Sequence, residues 1–323
     1  MHIPDGFLSA PVAAGYGLAA ALGLVLACRQ ARRVPARAGS ALLGVSAAFV
    51  FAAQMVSFPV AAGTSGHLLG GALVAALLGL PRAIVVMAAV LFVQCFVFAD
   101  GGVLALGANV FNLALVNCVV GSCVYRLTRG REPSPTRRVA SLAFAAWCST
   151  LAASASCAEQ LALSGIARLS LLFPPMLGVH ALVGVGEAVI SALVFATVLR
   201  LRPELLEHVS SGQRASGRSA LGAGLGLSLA IAGLLGPLAY AAPDGLSRVA
   251  ARLGFLGLER APFSTPLAGY GAALFGNAWW VTVVLGCSGT LALFGSCWLL
   301  ARALVPRSRP AQVAPGAVAE SSG

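Results

Sequence analysis

LSAPVAAGYGLAAALGLVLAC occupies residues 8–28, and RQARRVPAR follows at 29–37. The first stretch carries no charge and is long enough to cross a bilayer core, which takes about 20 apolar residues. The second closes it with a burst of arginine. Its Leu, Ala and Val form a continuous run without the two-residue alternation of a barrel strand, so the span reads as a helix. The pattern recurs at Gly39–Ala62, Ala72–Leu80 (short), Ile84–Ala99, Leu106–Tyr125, Val139–Leu163, Leu171–Leu199, Ala220–Ala241 and about Asn277–Leu304. These runs dictate an all-α polytopic membrane protein.

Composition agrees. The 323 residues are 59% hydrophobic, with mean hydropathy +0.90 and 10% charged, against about 25% charged in soluble chains. The net charge of +11 is all arginine and falls between the apolar runs. That placement reads as topology signals in contact with lipid headgroups, and the absence of a basic patch with interleaved aromatics excludes nucleic acid. Eight cysteines are scattered through the apolar runs without CxxC or zinc-type spacing, and read as small core residues. The opening MHIPDG has no basic residue, so no cleavable signal is expected.

Arginine bias sets the expected orientation. With the N-terminus outside and nine crossings, 17 of the 21 arginines fall on the cytoplasmic side, leaving Arg168, Arg248, Arg252 and Arg260 outside. The weak third span is needed, because dropping it moves the basic loop at 126–138 outside; it is too short to cross alone unless Leu68 and Leu69 extend it. His2 and His67 then share the external side. The expected organisation is a seven-span unit at 1–200, a polar linker at 201–219, a two-span unit at 220–305 with an external loop at 243–266, and a cytoplasmic tail at 306–323.

The chemistry concentrates at the front. A terminal amine, the following amide nitrogen and the Nδ1 of a histidine at position 2 close fused chelate rings around one ion. With a further imidazole they make a four-nitrogen square plane, the geometry of Ni(II) or Cu(II), whereas Zn(II) prefers a tetrahedron. Met1 should persist, since methionine is removed mainly before small residues. His67 in GTSGHLLGG is the candidate fourth ligand, in a glycine-rich loop able to dip to bilayer level where protein buries it. The bland alternatives are an exposed terminal histidine and an interfacial one. Asn109 and Asn112 start the fifth span and read as packing amides. His180 and Glu187 lie seven apart on one helix, as an interhelical network or a second metal or proton site. Asp5 is a further candidate for support of the site or for packing. No GxxxxGK[ST], HExxH or GxSxG occurs, so neither ATP binding nor those hydrolytic chemistries are expected.

MHIPDGFLS, GTSGHLLGG, VVMAAVLFVQCFVFADGGVLALGANVFNLAL and GVHALVGVGEAVI resemble the substrate-binding membrane subunit of energy-coupling-factor nickel/cobalt transporters, the CbiM/NikM type, over about residues 1–200. The resemblance implies a seven-helix fold and metal held by Met1, His2 and His67. APDGLSRVAARLGFLG with STPLAGYG looks like the two-span small subunit of the same transporters, with Ser247 where that subunit reads the glutamate of PDGLE. The expected activity is metal capture for an ATP-driven importer in a bacterial or archaeal inner (plasma) membrane. Ni(II), or Co(II), is then the transported ion and not a resident cofactor. A transmembrane coupling subunit and cytoplasmic ATPases are the partners, and the chain itself is not an enzyme. MHIPDG is the nickel-type opening, where cobalt members more often read MHIMEG. A stand-alone secondary transporter or channel is the alternative; it asks for charged residues along a through-path.

Overall fold

The computed structural model describes residues 1–33, 40–61, 63–203, 217–271 and 278–304. Ten helices account for most of them: α1 Ala10–Arg33, α2 Ser40–Met55, α3 Gly71–Leu78, α4 Leu80–Phe98, α5 Leu106–Arg129, α6 Pro135–Leu163, α7 Leu169–Leu201, α8 Gly217–Ala230, α9 Gly245–Leu253 and α10 Trp279–Leu304. A two-residue hairpin pairs β1 (Phe58–Pro59) with β2 (Ser65–Gly66). Helix α5 contains a π turn at Phe111–Val116, and α8 runs on through another at Ile231–Leu235. Among the described residues seven helices are long and apolar enough to span a membrane, and α2 is a shorter apolar one.

Helix α4 is the hub. Most of its residues are buried, with α1, α2, α3 and α5 against it, and Phe92, Phe96 and Val97 near its end face outward. Helix α1 buries only Ala20, Ala27 and Ala31, and turns Leu18, Leu22, Val25 and Leu26 outward as a lipid face. Lipid tails are as apolar as leucine, so packing here depends on close approach. Gly107 of α5 lies directly on the Gly17 backbone of α1. Helices α6 and α7 form an antiparallel hairpin, pinned where Trp147 Nε1 donates to the Ala181 carbonyl at 3.0 Å. Gly184 lies under that Trp147 ring, whereas Gly178 faces open space. Helices α8 and α10 pack on α2, with Gly289 of α10 beneath the Phe51 ring.

The short third run takes a form of its own. Helix α3 has eight residues, a rise of about 12 Å, under half of a ~30 Å hydrocarbon core. Leu68 and Leu69 are fully buried, yet they belong to the loop and do not extend the helix. Gly79, at φ 80°, breaks α3 from α4, and Arg82 donates to the Ala31 carbonyl at 3.2 Å, placing the start of α4 beside the end of α1. The loop expected at 243–266 holds helix α9 and a 3₁₀ turn at Leu256–Leu258. Most of the expected linker (204–216) and the whole tail at 306–323 lie outside the described residues.

Candidate metal site

Residues 1–7 thread into the protein. Met1, Ile3, Asp5 and Phe7 are all buried. Two side chains expected at or near the site act as anchors for this thread. Asn109 clamps residue 3: Ile3 N donates to Asn109 Oδ1 at 2.8 Å, and Asn109 Nδ2 donates to the Ile3 carbonyl at 3.0 Å. Asp5 accepts from the amides of Val103, Leu104 and Ala105 at 3.0, 2.8 and 3.1 Å. It thereby satisfies orphan donors ahead of α5 with a favourable negative charge. Gly6 turns the chain at φ 93°, against the Leu258 carbonyl.

The fixed thread delivers the terminal amine to the loop histidine. Met1 N lies 3.0 Å from His67 Nε2, and the His2 and His67 rings face each other at 5.6 Å with 10° between their planes. Four nitrogens about 2 Å from one ion in a square plane are about 2.8 Å from their cis neighbours, so amine and Nε2 already stand at a cis spacing. His67 Nδ1 donates to the Leu68 carbonyl at 3.1 Å, which leaves the Nε2 lone pair facing the amine. Burial, then the neighbouring ammonium and His2, push the His67 pKa down to about 3, and burial likewise lowers that of His2.

Below His67 the loop is held by Glu187, which accepts Leu69 N at 2.6 Å and Gly70 N at 2.7 Å. Gln54 adds a bond to the Leu69 carbonyl at 2.9 Å and takes one from Gln94 at 2.8 Å. Glu187 thus supports the loop from across the core. His180 does something else: its Nδ1 donates to the Met176 carbonyl of its own helix, and the ring packs against Gly245. Asn112 bonds Gln160 and Ser156 between α5 and α6, a packing role. Among the described residues no three His, Cys, Asp or Glu side chains cluster as a metal site, so the expected donor set at Met1 is one that draws on main-chain nitrogen.

Two carboxylates occupy the chelating groups, and sequence reasoning missed both. Asp244 Oδ2 pairs with the Met1 ammonium at 2.7 Å. Burial alone would raise its pKa, but the ammonium and the Ser247 amide hold it below the ordinary carboxylate range. Asp100 Oδ1 lies 3.3 Å from His2 Nδ1, and His2 Nε2 is buried without a hydrogen-bond partner. The imidazole must therefore turn from Asp100 before Nδ1 can close the chelate. Tyr270 donates to the other Asp100 oxygen at 3.3 Å and stacks on Phe98. A cavity of ≈ 810 Å³ opens beside these groups, lined by His2, His67, Asp100, Asp244, Glu259 and Tyr270 among others.

The chain following the linker supplies Asp244 and Tyr270, and it grips the hairpin as well: Ser65 N donates to the Pro243 carbonyl at 2.9 Å and Ser65 Oγ to that of Ala242 at 2.7 Å. Asp244 is also the N-cap of α9, accepting Ser247 N at 2.8 Å. Ser247 stands at the third position of that helix. A glutamate there would complete a reciprocal capping box, so its replacement removes a helix-start bond and leaves the Asp244 contact with the amine in place. The signals in the sequence were the resemblance of APDGLSRVAARLGFLG to the small subunit and an Asp-Gly pair near an apolar run, the latter being equally the mark of a turn.

Residues 2–205 match the family model described as the cobalt uptake substrate-specific transmembrane region, CbiM. An Archaeoglobus fulgidus protein provisionally named fused nickel transport protein NikMN is 38% identical over 210 residues, covering 64% of this chain and 68% of its own. The fused nickel transport protein NikMN of Rhodobacter capsulatus is 32% identical over 222 residues, covering 64% of each chain. A crystal structure described as a truncated transition metal transporter superposes with TM-score 0.56 at 31% identity, covering 62% of this chain and 99% of that one.

Proposed function

The chain belongs to the CbiM family of substrate-specific transmembrane regions, and from that premise we propose that it captures Ni(II), with Co(II) as second choice, for an ATP-driven energy-coupling-factor importer. It is a multi-pass membrane protein of nickel/cobalt transport. The ligands are the Met1 amine, the His2 amide nitrogen and Nδ1, and His67 Nε2. The observation that carries this reading is the 3.0 Å spacing of amine and His67 Nε2. It is set by anchors at residues 3 and 5 and not by any bond between the two histidines. A four-nitrogen plane favours Ni(II) over ions that prefer a tetrahedron. Copper would bind such a set more tightly, so availability shares in the selection.

Capture then runs in three parts. The ion reaches the cavity past Asp100 and Asp244. The amine and the His2 amide each lose a proton, and the amine exchanges Asp244 for the metal. The His2 ring turns from Asp100 with its proton carried on Nε2, and the Nδ1 lone pair completes the plane. Each capture releases protons, so binding weakens as pH falls; the His67 imidazole, already neutral, is not the source of that loss. ATP is hydrolysed on partner subunits, and the coupling subunit reorients the loaded unit. A stand-alone channel would need a water-lined route past His67, where Glu187, Gln54 and Gln94 are instead committed to holding the loop.

Insertion of a leucine between Met1 and His2 tests the site. Ile3 and Asp5 hold their anchors, so the added residue, about 3.8 Å of chain, displaces the amine from His67. The Met-Leu-His terminus still offers four nitrogens, but leaves no planar position for His67. The variant should bind without dependence on His67 and fail to transport, and His67→Ala in the native background should lose binding. Normal uptake by both variants would return His2 to an ordinary terminal histidine.

A further inference from the structure

The orientation argument leaves arginines stranded on the wrong side, and two of them share one place. Helix α9 is amphipathic: Leu246, Val249 and Ala250 are buried, while Arg248 and Arg252 are exposed, four residues apart and so on one face. Both line a cavity of ≈ 600 Å³ between α9, α7 and the loop that follows β1. This is within the usual range for a small-molecule site. Apart from Thr64 its other walls are apolar, with Val60, Val179 and Leu182 prominent, and no acidic residue lines it. Among the described residues neither guanidinium has a hydrogen-bond or ion-pair partner. Leu182 also begins an outward stripe with Val185 and Val189 along α7, each at least half exposed. In a membrane-spanning helix such a stripe is in contact with lipid.

We propose that this cavity is a phospholipid site. The phosphodiester sits between Arg248 and Arg252, and one acyl chain lies on Val179 and Leu182 and continues along the α7 stripe. A guanidinium facing lipid requires an anionic partner, and its planar fork matches phosphate oxygens. The apolar walls suit a chain and not a hydrated free anion. Two positive charges with no carboxylate nearby favour an anionic headgroup such as phosphatidylglycerol over a zwitterionic one. The site lies on the seam between the units. Its walls belong to the loop leading into the His67 hairpin, to α7, and to the helix capped by Asp244, so a bound lipid braces the second unit against the first. This inference rests on the membrane reading alone and is independent of which metal is carried.

The test is phospholipid retained by the full chain after purification in mild detergent, measured by native mass spectrometry. Wild type should keep one phospholipid per chain, enriched in phosphatidylglycerol when offered an equal mixture with phosphatidylethanolamine. Arg248→Gln/Arg252→Gln should retain about tenfold less or lower, the scale of two guanidinium–phosphate contacts. Val179→Trp, which leaves both arginines and fills the apolar wall, should lose it too. Arg168→Gln, an exposed arginine outside the cavity, should behave as wild type. Helicity and monodisperse elution check that each variant is folded. The proposal is overturned by equal retention in wild type and double variant, or by Val179→Trp retaining lipid. Displacement of the lipid by millimolar inorganic phosphate, the mark of a free-anion site, overturns it too, as does a wild type that holds no phospholipid at all.

Discussion

Replacing Asp244 by asparagine should tighten metal binding, although it removes a negative charge beside a cation site. The reason lies in what competes for the amine. In this structure the Met1 side chain is 2% exposed, its ammonium pairs with Asp244 Oδ2 at 2.7 Å, and that pair must break before the amine can reach a metal. Breaking a fully buried ion pair by removing one partner costs about 3–5 kcal/mol. Here the carboxylate is 25% exposed and the asparagine oxygen can still accept a hydrogen bond, which reduces the loss to about 1–2 kcal/mol. The ligand-free state carries this loss and the loaded state does not, so Ni(II) affinity should rise by about 5- to 30-fold. Long-range charge does not reverse the sign. The ammonium is +1, and Ni(II) with one deprotonated amide is also +1. Asparagine keeps the N-cap bond to Ser247, since Asn caps helices as well as Asp, so α9 should stay folded. The assay is competition for Ni(II) against a chromophoric chelator in detergent, with thermal unfolding of the metal-free protein alongside. The variant should bind tighter, keep capturing to lower pH, and melt lower without metal. Weaker binding with unchanged metal-free stability would refute the competition argument and make Asp244 a ligand.

Three further outcomes follow from the same geometry. Glu187→Gln can satisfy only one of the Leu69 and Gly70 amides; orphaning the other should lower stability by about 1–3 kcal/mol and weaken Ni(II) binding about 10- to 100-fold, measured by unfolding and titration. Separate expression of 1–205 and 215–323 should restore uptake, because Asp244, Pro243 and Tyr270 reach the site through noncovalent contacts; stable fragments without uptake would show that the covalent link matters. A tag on the C-terminus should be protected from an impermeant label in intact cells, and labelling there would contradict the expected topology.

The sequence by itself determined the membrane class and most of the helices, and it supplied the chelate proposed at the terminus. Uninterrupted apolar runs closed by arginine admit one structural answer in lipid, where every backbone group must bond within its own segment. A histidine at position 2 has a chelate built into its covalent spacing. What only the tertiary structure decided was the company each of these keeps. Leu68 and Leu69 are apolar enough to extend a helix, but the amides that would propagate it are taken by Glu187, more than a hundred residues away. Asp5 and Asn109, ambiguous as isolated polar residues, turn out to fix the thread that sets the amine beside His67. Asp100 and Asp244 drew no reading as site residues, because a local pattern reports only local bonds. Their partners, His2 and the terminal ammonium, lie far off in sequence and are brought near only when α4 and α9 pack. A chelate can be read from adjacent atoms along a chain, whereas the groups that hold it open before the metal arrives are neighbours in space alone.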